Sequence, residues 1–94
     1  NPPVKYGLEA NVKNSLIADG CVIEGTVENC VLFRGVRVAK GAVVRNSVLM
    51  QGTEIGSGCN IDAIVADKNV TISENRVLTG SSSYPLYLGK KAKI

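Results

Sequence analysis

The sequence predicts an all-β fold, a single-stranded parallel β-helix in which one chain winds into a triangular prism. Three observations predict it. Aliphatic residues recur in three columns that share one irregular step, and charged and corner residues repeat that step on the outside. The composition abounds in Val, Ile, Gly and Asn, with 4% aromatics and no Trp, which suits narrow stacked strands better than a bulky helix-packed core. A fixed repeat in a short chain marks stacked units rather than a conventional globule.

The repeat is clearest at Ile55-Gly56-Ser57-Gly58-Cys59-Asn60-Ile61. In an extended chain side chains alternate, so Ile55, Cys59 and Ile61 share one face while the polar residues between them face water. The first inward column is Ile17, Leu32, Leu49 and Ala66. The second is Leu8, Ile23, Val38, Ile55 and Ile72, and the third is Val12, Val27, Val44, Ile61 and Leu78. The first and third advance by 15 residues and then by 17, and the second by 15 twice and then by 17 twice. Cys21, Val36, Thr53 and Val70 keep the same steps, as do Leu16, Val31, Val48 and Val65. Inward residues spaced six, six and five within a repeat of 17 make a coil of three short sides, each pairing with the coils above and below. At roughly 4.8 Å per coil, four to five coils stand about 20 Å tall. The short first step leaves the side from Ile23 to Val27 two residues short, a local pinch.

In chain order, residues 1–7 are expected to be a linker stiffened by Pro2 and Pro3, which cannot start a strand ladder. The missing initial Met suggests a piece of a longer protein. Residues 8–94 form the β-helix. Outside it, Glu28, Arg45 and Asp62 form one column, Asp19, Arg34, Gln51 and Lys68 another, and Arg37 lies under Glu54; opposite charges on neighbouring coils act as cross-strand pairs. Asn14, Asn29 and Asn46 mark a corner that needs a left-handed backbone, and Gly20, Gly35, Gly52 and Asn69 mark a second. The register breaks after Leu78. Residues 79–85 replace one side by a loop, and Leu88 to Ile94 supply one more hexad. Arg76 stands where Ala42 and Cys59 face inward, so the coil is expected to open there.

Absences bound the chemistry. There is no histidine, so this chain has no imidazole base, shuttle or metal ligand. A hexapeptide acyltransferase that relies on a histidine base, or a zinc enzyme with imidazole ligands, is disfavoured on that ground. The net charge of +3 is concentrated in Lys90, Lys91 and Lys93, without the basic, aromatic-lined surface of a nucleic-acid binder. Three cysteines without CxxC spacing indicate neither disulfides nor zinc and fit a cytoplasmic protein; no apolar run is long enough to span a membrane. Cys21 and Cys59 fall at inward packing positions, and Cys30, in column with Ser15 and Ser47, is expected to be partly exposed. Gly56-Ser57-Gly58 reads as a corner rather than a phosphate loop, because no helix follows. Thr26, Thr53, Thr71 and Thr79 share no outward column, which ranks a structural or ice-binding prism last.

Two sets of residues remain as candidates. Arg34, Arg37 and Arg45, with Lys40, lie on adjacent outer sides of one coil and are candidate contacts for an anion, against the default of ladder pairing. Phe33 and Met50 sit one residue past inward aliphatics, hence outward, and stack with Ala18. Large apolar side chains side by side on a polar surface read as an interface, or as a seat for the terminal loop.

The hexads resemble those of left-handed β-helices in hexapeptide-repeat proteins. The run from Asn14 through Gly20-Cys21-Val22-Ile23-Glu24-Gly25 to Val36 resembles the carboxyl-terminal domain of bacterial glucose-1-phosphate adenylyltransferase. Val48-Leu49-Met50-Gln51-Gly52 and Tyr84-Pro85-Leu86 look closer to the non-catalytic companion subunit of that family. The resemblance implies left-handed coiling and an enzyme system that makes ADP-glucose from ATP and glucose 1-phosphate for glycogen synthesis. It implies that ATP and Mg²⁺ belong to a preceding nucleotidyltransferase domain, none of whose motifs is in this chain, so no cofactor is expected here. It further implies contacts with that domain, with the catalytic subunit and within homo- or hetero-oligomers, and a share in an allosteric effector site.

Overall fold

Alternating inward aliphatics make every strand two or three residues long, and every such strand has an equivalent one coil away to pair with. The computed structural model describes residues 3–81 and 83–94; Asn1 and Pro2 of the expected lead-in and Ser82 of the expected loop lie outside these. The first coil is β1 (Lys5–Tyr6), β2 (Asn11–Lys13) and β3 (Leu16–Ile17), and the second is β4 (Val22–Ile23), β5 (Thr26–Glu28) and β6 (Val31–Leu32). The third is β7 (Arg37–Val38), β8 (Val43–Arg45) and β9 (Val48–Leu49), and the fourth is β10 (Glu54–Ile55), β11 (Asn60–Asp62) and β12 (Ile64–Ala66). The fifth is β13 (Thr71–Ile72), β14 (Val77–Thr79) and β15 (Leu86–Leu88).

These strands form three parallel sheets. Sheet A is β1-β4-β7-β10-β13, sheet B is β2-β5-β8-β11-β14 and sheet C is β3-β6-β9-β12-β15. The chain is thus an all-β solenoid with the architecture of a left-handed β-helix, 31 × 23 × 23 Å in extent. Ile17, Leu32, Leu49 and Ala66 pair in register in sheet C, and Val12, Val27, Val44, Ile61 and Leu78 do so in sheet B. The core is the stack of these columns with Ile23, Val38, Ile55 and Ile72.

Two details of register differ from the sequence reading. Tyr6, not Leu8, pairs with Ile23, and Lys5–Tyr6 already form a strand, so the coil begins inside the expected linker. The step from Tyr6 to Ile23 is a full 17, and Leu8 is fully exposed in the turn that follows. Counting back by the short step had extended the pinch one coil too far. The pinch itself lies in the second coil, where Glu24 and Gly25 join β4 to β5 without the turn that other coils carry. A Cβ on Gly25 would lie 2.4 Å from the Ala42 carbonyl oxygen. Lys40 from the coil above and Glu9 from the coil below meet across the gap at 3.3 Å.

Corners behave as their residues require. Asn14, Asn29 and Asn46 have φ of 48°, 54° and 51°, and Ala63 continues the column at 56° without an amide. Asn29 donates from Nδ2 to Asn46 Oδ1, and Asn46 donates to Asp62 Oδ1. At the second corner Gly20, Gly35, Gly52 and Asn69 are left-handed as expected, and Lys91 completes the column. The chain leaves the prism after Thr79, turns through a Ser81–Tyr84 bridge, and rejoins at β15, after which Lys93 bridges Thr71. Arg76 is exposed, but its carbonyl accepts the Asn60 amide at 2.8 Å. The backbone therefore does not open there; this is the last coil on that side, and the side chain leaves by the free end.

Candidate functional site

The outer faces of the three sheets differ, and the difference follows from two alternating positions per strand. Sheet A presents Lys5, Val22, Arg37, Glu54 and Thr71 in register, and sheet B presents Lys13, Glu28, Arg45 and Asp62. Sheet C presents Leu16, Val31, Val48, Val65 and Tyr87 in one column, in register through β15. Beside it run Ala18, Phe33, Met50, Asp67 and Gly89, held by the ladder of Ala18, Phe33, Met50 and Asp67 amides donating to Leu32, Leu49, Ala66 and Leu88 carbonyls. Apart from Asp67, no charged side chain lies in either column.

Phe33 and Met50 are brought together as the sequence suggested. Phe33 is 46% exposed, Leu16 71% and Tyr87 59%, and a shallow groove of about 260 Å³ runs between Leu16, Ala18, Val31 and Phe33. The terminal loop does not cover this groove: β15 pairs with β12 at the opposite end of the sheet. The sequence identifies Leu16, Val31, Val48 and Val65 as a repeating column but does not join it to Phe33 and Met50 as one outer face. The signal was present, since Val31 and Val48 lie two residues before Phe33 and Met50 and therefore face the same way.

At the upper end of the face Tyr87 donates its hydroxyl to Asp67 Oδ2 at 2.6 Å, and Asp67 Oδ1 accepts the Lys68 amide at 2.7 Å. The Tyr87 hydroxyl bond, aided by the Lys68 amide, holds the Asp67 carboxyl below its ordinary range. The same bond raises the Tyr87 phenol.

The three arginines are not brought together. Arg34 stands at the corner between sheets C and A, Arg37 faces out of sheet A in register with Glu54, and Arg45 faces out of sheet B with Nε 3.1 Å from Glu28 Oε1. Lys40 is engaged by Glu9. Among the described residues these two are the ion pairs, so the other expected ladder charges act through register rather than contact.

The cysteines are packing residues. Cys30, expected to be partly exposed, is 2% exposed, because its column turns inward at the Asn corner and its thiol donates to the Glu28 carbonyl at 3.1 Å. Burial pushes the Cys21 and Cys30 thiols up, which keeps them protonated and poorly nucleophilic. No cluster of three or more His, Cys, Asp or Glu side chains suited to a metal exists among the described residues. Gly56-Ser57-Gly58 is a turn packed under the next coil, where a Gly56 Cβ would lie 2.8 Å from the Glu74 nitrogen. Among the described residues no helix is long and apolar enough to cross a membrane.

A three-sided parallel coil with hexad sides defines a hexapeptide-repeat β-helix domain; one outer side is an apolar sheet face, and sheet A carries a cleft of about 430 Å³ lined by Glu24, Arg37, Glu54, Thr71 and Glu74. The chain belongs to the family of GlmU-like, C-terminal hexapeptide domains, which matches residues 4–82. It is 48% identical over 89 residues to the glycogen biosynthesis protein GlgD of Bacillus subtilis (strain 168), covering 95% of this chain and 26% of that protein. It is 74% identical over 43 residues to GlgD of Geobacillus stearothermophilus, covering 46% of this chain and 12% of that protein. It is 39% identical over 77 residues to the glucose-1-phosphate adenylyltransferase of Bacillus cereus (strain Q1), covering 82% of this chain and 20% of the relative. The chain thus spans about a quarter or less of the relatives it matches, and it is homologous to a part of glycogen-biosynthesis proteins.

Proposed function

We propose that this chain is a non-catalytic assembly and regulatory domain of a glucose-1-phosphate adenylyltransferase system in glycogen biosynthesis, acting in the cytoplasm. The observation that carries the reading is the outer face of sheet C, two adjacent apolar columns on a prism whose other sides are charged. Contiguous apolar surface of this kind is the mark of an interaction site. Its counterparts in the intact system are the subunit's own nucleotidyltransferase domain and the catalytic subunit, in a homo- or hetero-oligomer. Conversion of ATP and glucose 1-phosphate to ADP-glucose and diphosphate, with ATP and Mg²⁺, belongs to the nucleotidyltransferase domain. Arg34 and Arg37, with no ion-pair partner among the described residues, are the first places to look for an anionic effector, and Arg45 follows once its bond to Glu28 is released.

The test mixes the chain with full-length glucose-1-phosphate adenylyltransferase and follows complex formation by light scattering, comparing wild type with Phe33→Asp plus Met50→Asp. Both positions are outward, so the double variant keeps the circular dichroism of the fold. A complex formed by wild type and lost in the variant supports the reading; a complex of equal strength in both refutes the assignment to sheet C.

A further inference from the structure

We infer that the cleft along sheet A binds a linear, uncharged oligosaccharide, an α-1,4-linked glucan, laid parallel to the prism axis. The choice of glucan rests on the proposed role in glycogen biosynthesis; the cleft itself rests on geometry.

Sheet A differs from sheet C in its second outward column. Where sheet C carries Phe33 and Met50, one residue past the inward column, sheet A carries Glu24, Ala39, Gly56 and Ser73, whose amides donate to the Val38, Ile55, Ile72 and Ile94 carbonyls. Three small residues in succession leave a low floor. On one side of it stands the column of Val22, Arg37, Glu54 and Thr71, paired coil by coil. On the other side lie the turns at Ser57-Gly58 and Glu74-Asn75. The result is an open cleft of about 430 Å³ that crosses four coils, from Val22 and Glu24 to Ser73 and Glu74. That volume falls within the roughly 300–1,000 Å³ usual for small-molecule sites. At roughly 4.8 Å per coil the cleft is about 14 Å long. The span from O1 to O4 of a hexopyranose is close to one coil spacing, so about three units of a glucan follow the wall, one to each interval.

The groups along the cleft select hydroxyls. In order up the axis come the Glu24 carboxylate, the Arg37 guanidinium, the Glu54 carboxylate and the Thr71 hydroxyl, with Glu74 beside the last. Arg37 and Glu54 are neighbours in register, yet neither they nor Glu24 and Glu74 form an ion pair among the described residues. Each therefore keeps its bonding capacity for a ligand. A polyanion filling the cleft meets three carboxylates, and a polycation meets Arg37 at its middle. A sugar hydroxyl donates to a carboxylate and accepts from a guanidinium through the same oxygen, so a chain of hydroxyls uses every group. No aromatic side chain lines the cleft among the described residues. The contact is made by hydrogen bonds in open solvent, which places the Kd at about 1–10 mM.

The test is an amide NMR titration of the chain with maltotetraose up to about 50 mM, several times that Kd, with glucose as the one-unit comparison and inorganic phosphate as an anion. The expected result is saturable shifts of the Ala39, Gly56 and Ser73 amides by maltotetraose, with weaker binding of glucose. Ala39→Leu fills the floor and abolishes these shifts; the fold accommodates it, since Phe33 holds the equivalent place on sheet C. Glu54→Gln removes an ionised acceptor and weakens maltotetraose roughly three- to tenfold. For phosphate held by Arg37 the same change removes a repulsive charge and does not weaken binding. No shifts at the highest concentration overturn the inference, as do shifts confined to the sheet C face or equal affinity for glucose. Binding untouched by Ala39→Leu, or answering Glu54→Gln as phosphate does, overturns it too. The assembly reading is scored separately, by complex formation with the adenylyltransferase and its loss in Phe33→Asp plus Met50→Asp, which leaves the sheet A cleft intact.

Discussion

Ser47 shows how one side chain ties two coils together. Its hydroxyl donates to the Arg45 carbonyl at 2.7 Å and accepts the Ile64 amide of the next coil at 3.2 Å. Ser15 does the same two coils lower, donating to Lys13 and accepting from Cys30. Ser47→Ala leaves the amide of fully buried Ile64 without an acceptor, and an orphaned buried donor costs about 1–3 kcal/mol. Urea denaturation should report that loss, with Ser47→Cys retaining more of the stability, since Cys30 occupies the equivalent site below. The column Ser15, Cys30, Ser47 was legible in the sequence, but its direction was not. The left-handed Asn just before each member rotates the chain inward, and strand alternation does not describe a corner.

Tyr87 and Asp67 join two elements, β15 and the end of β12. Because the folded state lowers the Asp67 carboxyl, the bond adds stability that is fully present above the ordinary aspartate range, roughly pH 4, and is lost as pH falls through the lowered value. Because it raises the Tyr87 phenol, the same bond persists up to about pH 10 and is lost as pH rises through the raised value. In Tyr87→Phe, an NMR titration of the Asp67 carboxyl should move up towards the ordinary value, with the Lys68 amide bond remaining. An unchanged titration would mean that the hydroxyl is not what holds it. At this scale the sequence identified the exit after Leu78 and the return hexad, but not this contact, because 20 residues and a loop separate the partners.

The whole molecule is quasi-one-dimensional, since each coil is held by its neighbours alone. Ile55 is central in sheet A, paired with Val38 below and Ile72 above. Ile55→Asp buries a carboxylate with no partner between two apolar residues, and the expected result is loss of cooperative unfolding in thermal melts followed by circular dichroism. A sharp transition near the wild-type temperature would refute the inward stacking. The same one-dimensionality explains why the pinch is tolerated. Removing two residues from one side changes the turn there while the coils on either side keep register, and Lys40 reaches Glu9 across the gap.

The sequence by itself determined the periodic part of this protein. The columns, the corners, the short second coil and the inward positions of Cys21 and Cys59 all follow from side-chain alternation and from φ preferences, which are local properties repeated every 17 residues. Tertiary structure decided what periodicity does not encode. It set where the first coil starts, with Tyr6 in register and Leu8 outside. It dispersed Arg34, Arg37 and Arg45 around three directions although they are close in sequence. It also assembled Leu16, Val31, Val48 and Val65 beside Phe33 and Met50 into one apolar face. A residue's alternation fixes whether it points in or out; only the closed triangle fixes which outward residues share a side.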